Sequence, residues 1–121
     1  MNDVKFSFNS YTINRLTEVV GCACLNDRKY FEDTVNKVIA TREWAKEELT
    51  ALGFTFGDSK ANFIFAKHQE KKAKDIFEAL REKGIFVRYF ALPRIDNYLR
   101  ISVGTDEEMK QLIDSLKEYL K

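Results

Sequence analysis

The chain has 121 residues, 45% of them hydrophobic, and its 20 basic and 19 acidic side chains leave a net charge of +1. A chain of this length forms one domain that buries roughly two thirds of its unfolded surface, and this charge balance provides no concentrated basic patch for nucleic acid or an anionic membrane. No apolar run reaches the roughly 20 residues of a membrane-spanning helix and no signal peptide opens the chain, so we expect a cytoplasmic domain.

The first half of the sequence predicts an extended arm over residues 1–11 and two helices over residues 12–52. Apolar residues recur at helical spacing on both sides of Asp27, which is placed to end one helix and cap the next. The second helix, residues 28–52, would be about 37 Å long, which indicates packing on structure beyond a domain this small. Cys22 and Cys24 diverge on the first helix and cannot bridge, so we predict that both are small core residues.

The second half switches to period two after Gly53, and we predict four strands and two further helices there. The element order predicts an α+β fold with a small, mostly antiparallel sheet of three to four strands and helices on one face. The whole chain, 1–121, is expected to form a single domain whose sheet unit covers residues 53–121. The single histidine, His68, has no partner at metal-ligand spacing and is predicted to lie on the surface. The predicted strands are 54–56, 61–66, 85–90 and 98–103, and the predicted helices are 71–83 and 106–120.

The last predicted strand places one cation. Leu99 and Ile101 alternate with Arg100, so the arginine points away from the core. Gly104 ends the strand, and the segment from Thr105 to Glu108 has the pattern of a capping box that starts the final helix.

Anion recognition is the chemistry that this sequence can support. We find no motif for a nucleophile, a metal or a phosphate-binding loop, and we assign no catalytic residue and no metal ligand. Arg88 and Arg100 lie 12 residues apart on neighbouring predicted strands. Two guanidinium forks on one sheet face can hold a phosphate or carboxylate by bidentate hydrogen bonds. They can equally be unrelated surface arginines paired with Asp96 or a glutamate, and the pattern alone leaves both interpretations open.

Four segments carry a family resemblance: residues 8–15, 59–63, 84–90 and 98–105. Their order and spacing resemble the C-terminal part of histidinol-phosphate aminotransferases, which are pyridoxal-phosphate enzymes of fold type I, and the resemblance covers nearly all of the chain. The S-x-A-N-F segment is shared across class I and II aminotransferases. The G-I-x-V-R-Y-F segment followed by Y-L-R-I-S-x-G-T is more selective and resembles the histidinol-phosphate branch.

The resemblance implies roles for both arginines. Arg100 matches the arginine that holds the substrate's α-carboxylate and, in the histidinol-phosphate branch, faces the substrate's phosphate. Arg88 matches a second arginine at the same anionic end. The family's Schiff-base lysine and its other cofactor-binding groups lie upstream of the part resembled here. The resemblance therefore implies a C-terminal domain that binds no pyridoxal phosphate by itself and is inactive alone.

The parent enzyme is then expected to be a cytoplasmic homodimer that uses pyridoxal 5'-phosphate and small anionic substrates, and the isolated segment is expected to self-associate through the apolar face that the large domain would cover. Two alternatives remain at this point. One is another fold type I enzyme, such as a threonine-phosphate decarboxylase. The other is a free-standing α+β module that binds a ligand or a protein.

Overall fold

The computed structural model describes residues 13–121, so the predicted arm over residues 1–11 lies outside the described residues. The chain forms two compact units that divide between Thr34 and Val35. Helix α1, Arg15–Asn26, and the beginning of helix α2, Arg28–Ala51, belong to the first unit. None of the described helices is both long enough and apolar enough to cross a membrane.

Asn14 and Asp27 define the helix ends in the first unit. The Asn14 Oδ1 accepts a hydrogen bond of 2.8 Å from the Thr17 backbone N–H and caps α1. The backbone N–H of Asp27 donates to the Ala23 carbonyl, while its Oδ1 accepts from the Tyr30 N–H at 3.1 Å. The predicted boundary between two helices at this point is confirmed.

The apolar side chains of the first unit are exposed. Cys22 and Cys24 are exposed as well, so the prediction that they are core residues was wrong. The helical apolar pattern of α1 was interpreted as burial, but α1 has no buried residue in the described structure. The exposed apolar residues of this unit are Ile13, Leu16, Val19, Val20, Leu25, Tyr30 and Phe31.

The second unit is built on a four-stranded antiparallel sheet. Its strands are β1, Phe54–Phe56, β2, Phe63–His68, β3, Arg88–Tyr89, and β4, Leu99–Ser102, in the spatial order β1-β2-β4-β3. Helix α3, Ala73–Glu82, follows β2, and helix α4, Asp106–Leu120, follows β4. The predicted α+β fold, with a small antiparallel sheet that follows two helices in the chain, is confirmed.

Three helices cover one face of this sheet and form the core with it. From the strands, Ile64, Ala66, Leu99 and Ile101 are each at most 1% exposed. From α2, Ala45 and Leu49 reach the same cluster and have no exposed surface. The apolar stripes of α3 and α4 complete it with Ala73, Ile76, Leu80, Met109, Leu112, Ile113 and Leu116.

Three predicted strands have different boundaries in the structure, and the last, predicted over 98–103, is shorter by one residue at each end. The second starts at Phe63 instead of residue 61, because the Ser59 hydroxyl donates to the Phe63 carbonyl and accepts from the Ala61 N–H, which holds this segment in a turn. The third, predicted over 85–90, is limited to Arg88–Tyr89. Its predicted start is still bound to α3, since the Ile85 N–H donates to the Leu80 carbonyl at 2.9 Å.

Two predicted helix ends, the C-terminal end of α2 and the N-terminal end of α4, are confirmed. Gly53 ends α2 with φ of +85°, a left-handed conformation that favours glycine. Thr105 and Glu108 form the capping box of α4, in which each side chain accepts from the other residue's backbone N–H.

His68 is buried, with 8% of its surface exposed, so the prediction of a surface histidine was wrong. Its Nδ1 accepts the backbone N–H groups of Glu70 and Lys71, both at 3.0 Å. Nδ1 therefore carries no proton, and Nε2 donates to the Leu52 carbonyl at 2.9 Å. The ring also meets Phe54 edge to face at 5.0 Å. His68 thus joins the end of β2 to the end of α2.

We predict that His68→Ala lowers the free energy of unfolding by about 2 to 3 kcal/mol, because two backbone donors and one carbonyl lose a partner in a largely buried place. Urea denaturation of the purified chain measures this difference. Gln69→Ala is the matched control, since Gln69 is the exposed neighbour. Equal midpoints for the two variants would contradict the structural role of His68.

A chain of ion pairs joins α2 to the turn before β2. Lys46 contacts Glu43 at 2.8 Å and Asp58 at 2.7 Å, and Lys60 contacts Asp58 from the other side at 3.0 Å. The hydrogen bond from Lys46, followed by that from Lys60, lowers the pKa of Asp58 to about 2 from an ordinary value of 3.8. Because the folded pKa lies below the unfolded one, Asp58 stabilises the fold above pH 4, and this contribution disappears as the pH falls towards 2.

We therefore expect Asp58→Asn to be less stable than the native chain at pH 7, with the difference shrinking as the pH falls from about 4 to about 2. Thermal unfolding at a series of pH values measures it. Asp96→Asn is the control, because Asp96 forms no ion pair within residues 13–121. A stability difference for Asp58→Asn that does not change with pH would be the contrary result.

Candidate anion-binding site

The sheet face that turns away from the helices carries both predicted arginines. We call it the open face. Its residues alternate with the buried core positions of the strands, and its side chains are exposed or half-buried. The open face comprises Thr55, Phe63, Phe65, Lys67, Arg88, Arg100 and Ser102, together with Phe90 and Tyr98, whose rings contact Phe65.

The strand register brings Arg88 and Arg100 together. They are direct partners across the β3–β4 pair, and Arg100 has Phe65 as its partner on β2. Directly opposed residues of an antiparallel pair project to the same face, with Cβ atoms about 4.5 to 5.5 Å apart. Both arginine residues are exposed. The structure thus places the two predicted site residues side by side on an accessible surface.

The two arginines form no ion pair with any carboxylate of residues 13–121. Their suggested pairing with Asp96 or a glutamate is thus not found in this part of the chain. Like charges placed directly opposite each other in a sheet are destabilising. An anion bound between them would replace this repulsion with two charge-assisted attractions.

Each cation of the open face lies over an aromatic ring. The Arg100 Cζ is 5.7 Å from the ring centroid of Phe63, and the Arg88 Cζ is 5.4 Å from that of Phe90. The Lys67 Nζ is 5.5 Å from the ring centroid of Tyr98. These distances are within the range of cation–π attraction.

The rings of the open face also pack on one another. Phe65 stacks on Tyr98 with centroids 4.7 Å apart and planes 8° from parallel. Phe90 meets Phe65 edge to face at 6.1 Å. Sequence reasoning did not assign these rings, nor Phe63 and Lys67, to the site. The alternation of Phe63 and Phe65 with Ile64 was a signal, but the cross-strand register that places Phe65 beside Arg100 cannot be derived from it.

The two arginines are supported differently by the layer beneath the open face. Arg100 lies between Leu99 and Ile101, each 1% exposed, so packing on both sides holds its backbone. Arg88 lies on a strand of two residues, and its neighbour Tyr89 stacks on Phe77 of α3 at 5.8 Å. Arg100 therefore has the more firmly held backbone.

The described residues form no candidate metal site, and Lys46, the one lysine among them that is not exposed, is not an activated amine. Among residues 13–121, His, Cys, Asp and Glu side chains form no cluster that could hold a metal ion. Lys46 has a side chain only 13% exposed, but its hydrogen bonds to Asp58 and Glu43 raise its pKa and keep it an ammonium group. A reactive amine would need the opposite shift.

Comparison with known proteins gives consistent matches over the whole chain. The family model for class I and II aminotransferases matches residues 1–116. The histidinol-phosphate aminotransferase of Brachyspira hyodysenteriae is 50% identical over 121 residues, which are 100% of this chain and 34% of that protein. That of Clostridium acetobutylicum is 51% identical over 120 residues, covering 99% of this chain and 34% of the relative.

A solved structure shows the same fold. It is histidinol-phosphate aminotransferase from Sinorhizobium meliloti in complex with pyridoxal-5'-phosphate, which matches with a TM-score of 0.80 and 24% identity over 98% of this chain and 33% of that one. The chain spans about a third of the length of the curated relatives it matches. The resemblance to the C-terminal domain of such an enzyme is confirmed, and the chain belongs to the class I and II aminotransferase family.

Proposed function

We propose that this chain is the substrate-anion-binding domain of a pyridoxal-phosphate-dependent histidinol-phosphate aminotransferase, which transfers an amino group between histidinol phosphate and 2-oxoglutarate. The observation that carries the proposal is the direct register of Arg88 and Arg100 on the open face, without a carboxylate partner in residues 13–121. The relatives that are about half identical in sequence bear the name of this enzyme.

The chemistry of a guanidinium pair suits the two substrates. One carries a phosphate and the other carries carboxylates, and a planar guanidinium fork can bind either anion with two parallel hydrogen bonds. Two forks on adjacent strands can reach the same anion from two sides. Arg100 has the more firmly held backbone and is proposed as the principal contact, and Arg88 is proposed as the second.

Lys46, the one lysine in residues 13–121 that is not exposed, does not fit the covalent site of the cofactor. Pyridoxal phosphate supplies the electron sink for amino transfer, and its protein must provide a lysine that can form a Schiff base. Lys46, in the described part of the chain, is held as an ammonium group by two carboxylates. We therefore assign this chain to substrate binding and derive no cofactor chemistry from it.

We further propose that the parent enzyme is a cytoplasmic homodimer and that the isolated chain self-associates. The exposed apolar residues of the first unit support the proposed association, because large apolar side chains exposed together favour association. Leu16 and Leu25 of α1 are 73% and 84% exposed, and Tyr30 of α2 is 69% exposed. A partner surface that covers these helices would bury them.

In the complete enzyme, we expect Arg100→Ala to lower kcat/KM for histidinol phosphate. The decrease should correspond to a loss of about 2 to 5 kcal/mol in transition-state binding, the usual effect of removing one partner of a desolvated charge pair. Arg100→Lys should lie between that variant and the native enzyme, since it keeps the charge but loses the fork. Steady-state kinetics with both substrates measure these effects.

Arg81→Ala is the matched control for this experiment, because Arg81 is an exposed arginine in the last turn of α3. It should leave kcat/KM close to the native value. An Arg100→Ala enzyme with unchanged kcat/KM for both substrates would refute the proposed site.

For the isolated chain, we predict no specific, stoichiometric aldimine absorbance when it is mixed with pyridoxal phosphate, because the resemblance implies that the family's Schiff-base lysine lies upstream of the part resembled here. Spectrophotometric titration measures this, and borohydride trapping with mass spectrometry identifies any lysine that reacts. Lys46→Arg is the matched variant, because it removes the amine of Lys46 but keeps the positive charge at this position. A one-to-one band that a single lysine substitution abolishes would show that the assignment to substrate binding alone is wrong.

A further inference from the structure

We infer that Phe63 and Phe90 are positioning residues that hold the guanidinium groups of Arg100 and Arg88 apart, in a geometry that is ready to receive an anion. This inference rests on the proposed function, because it assigns a role to the residues that support the proposed clamp. Neither ring is the direct cross-strand partner of the arginine that lies over it.

The register places the two rings on opposite sides of the Arg88–Arg100 pair along the strands. Phe63 pairs with Ser102, so its ring lies from Arg100 towards the end of β4. Phe90 comes directly after Tyr89, which pairs with Leu99, so its ring lies from Arg88 towards the start of β4. Each guanidinium group is therefore attracted to its own side of the pair, and the proposed anion would bind between them.

The two rings offset the electrostatic repulsion between the arginines. Two guanidinium groups in direct register repel each other, and long side chains without a partner would spread over many rotamers. A ring beneath each group offers an attraction that does not consume its N–H donors, because cation–π contact uses the face of the guanidinium plane. The donors stay available for an oxygen ligand.

Phe90 itself is held by other rings. It packs against the edge of Phe65, which is stacked on Tyr98. β3 has only two residues, so its own strand restricts the Arg88 side chain little. We infer that this aromatic cluster restricts it more. Phe90 should therefore matter for Arg88 at least as much as Phe63 matters for Arg100.

The consequence for binding is preorganisation. A ligand that meets two groups already separated and oriented does not have to order them, and the ordering cost is removed from the binding free energy. Loss of one ring should leave the charge in place and weaken the affinity for the anion without abolishing it.

The test follows the arginine Nε–H signals of this chain by NMR during titration with inorganic phosphate, with sodium chloride at matched ionic strength as the reference. We expect Phe63→Leu and Phe90→Leu each to raise the Kd for phosphate about two- to fivefold, the size expected for one exposed cation–π contact. In each variant the ring-current shift of the corresponding arginine should also disappear.

Two kinds of variant separate positioning from general packing. Phe63→Tyr and Phe90→Tyr keep an aromatic ring and should retain the native Kd. Phe86→Leu is the matched control, since Phe86 is 79% exposed and, among residues 13–121, lies under no cation. It should also retain the native Kd.

The outcomes distinguish this inference from the proposed function. If phosphate moves the arginine signals equally in the native chain and in both leucine variants, the positioning role is wrong and the anion site stands. If the tyrosine variants bind as weakly as the leucine variants, the positioning role is also wrong. If phosphate moves neither arginine signal in the native chain, both the anion site and the role of the rings are overturned.

Discussion

Burial of the inner face of the sheet against three helices determines the position of each residue in the proposed site. Leu99 and Ile101 are held in the core at 1% exposure, and the pleat then forces Arg100 to the opposite face. The antiparallel pairing with β3 brings Arg88 to the same face. A shift of one residue in that pairing would end the direct opposition of the two arginines. Burial of the core residues fixes the register and thereby keeps Arg88 opposite Arg100 on the open face.

The cations of the open face are not neutralised by carboxylates of residues 13–121. The chain is nearly neutral overall, and several carboxylates of the second unit are used in ion pairs that join its elements. Glu48 pairs with Lys117 and Glu118 with Lys83, connecting helices to their neighbours. The two arginines of the open face have no such carboxylate in residues 13–121. A local excess of positive charge therefore exists on a chain whose net charge gives no sign of it.

The sequence was sufficient for features that depend on neighbouring residues. Alternation placed Arg100 outward, spacing identified the capping box of Thr105 and Glu108, and Gly53 was correctly assigned as a helix end. Features that depend on register or tertiary contact were missed. His68 is buried because the Leu52 carbonyl and the Phe54 ring, both distant in sequence, meet its ring. Cys22 and Cys24 are exposed although their helix has an apolar pattern. The aromatic rings could not be assigned to the site from the sequence, because this assignment depends on which strand positions face each other.

The two outer strands of the sheet are its shortest, with three residues in β1 and two in β3. A long, flat outer strand offers a row of backbone N–H and C=O groups to which another chain can add a strand. Outer strands this short offer few such groups. The sheet can therefore keep one broad face open to solvent and still resist the edge-to-edge growth that leads open sheets into fibrils.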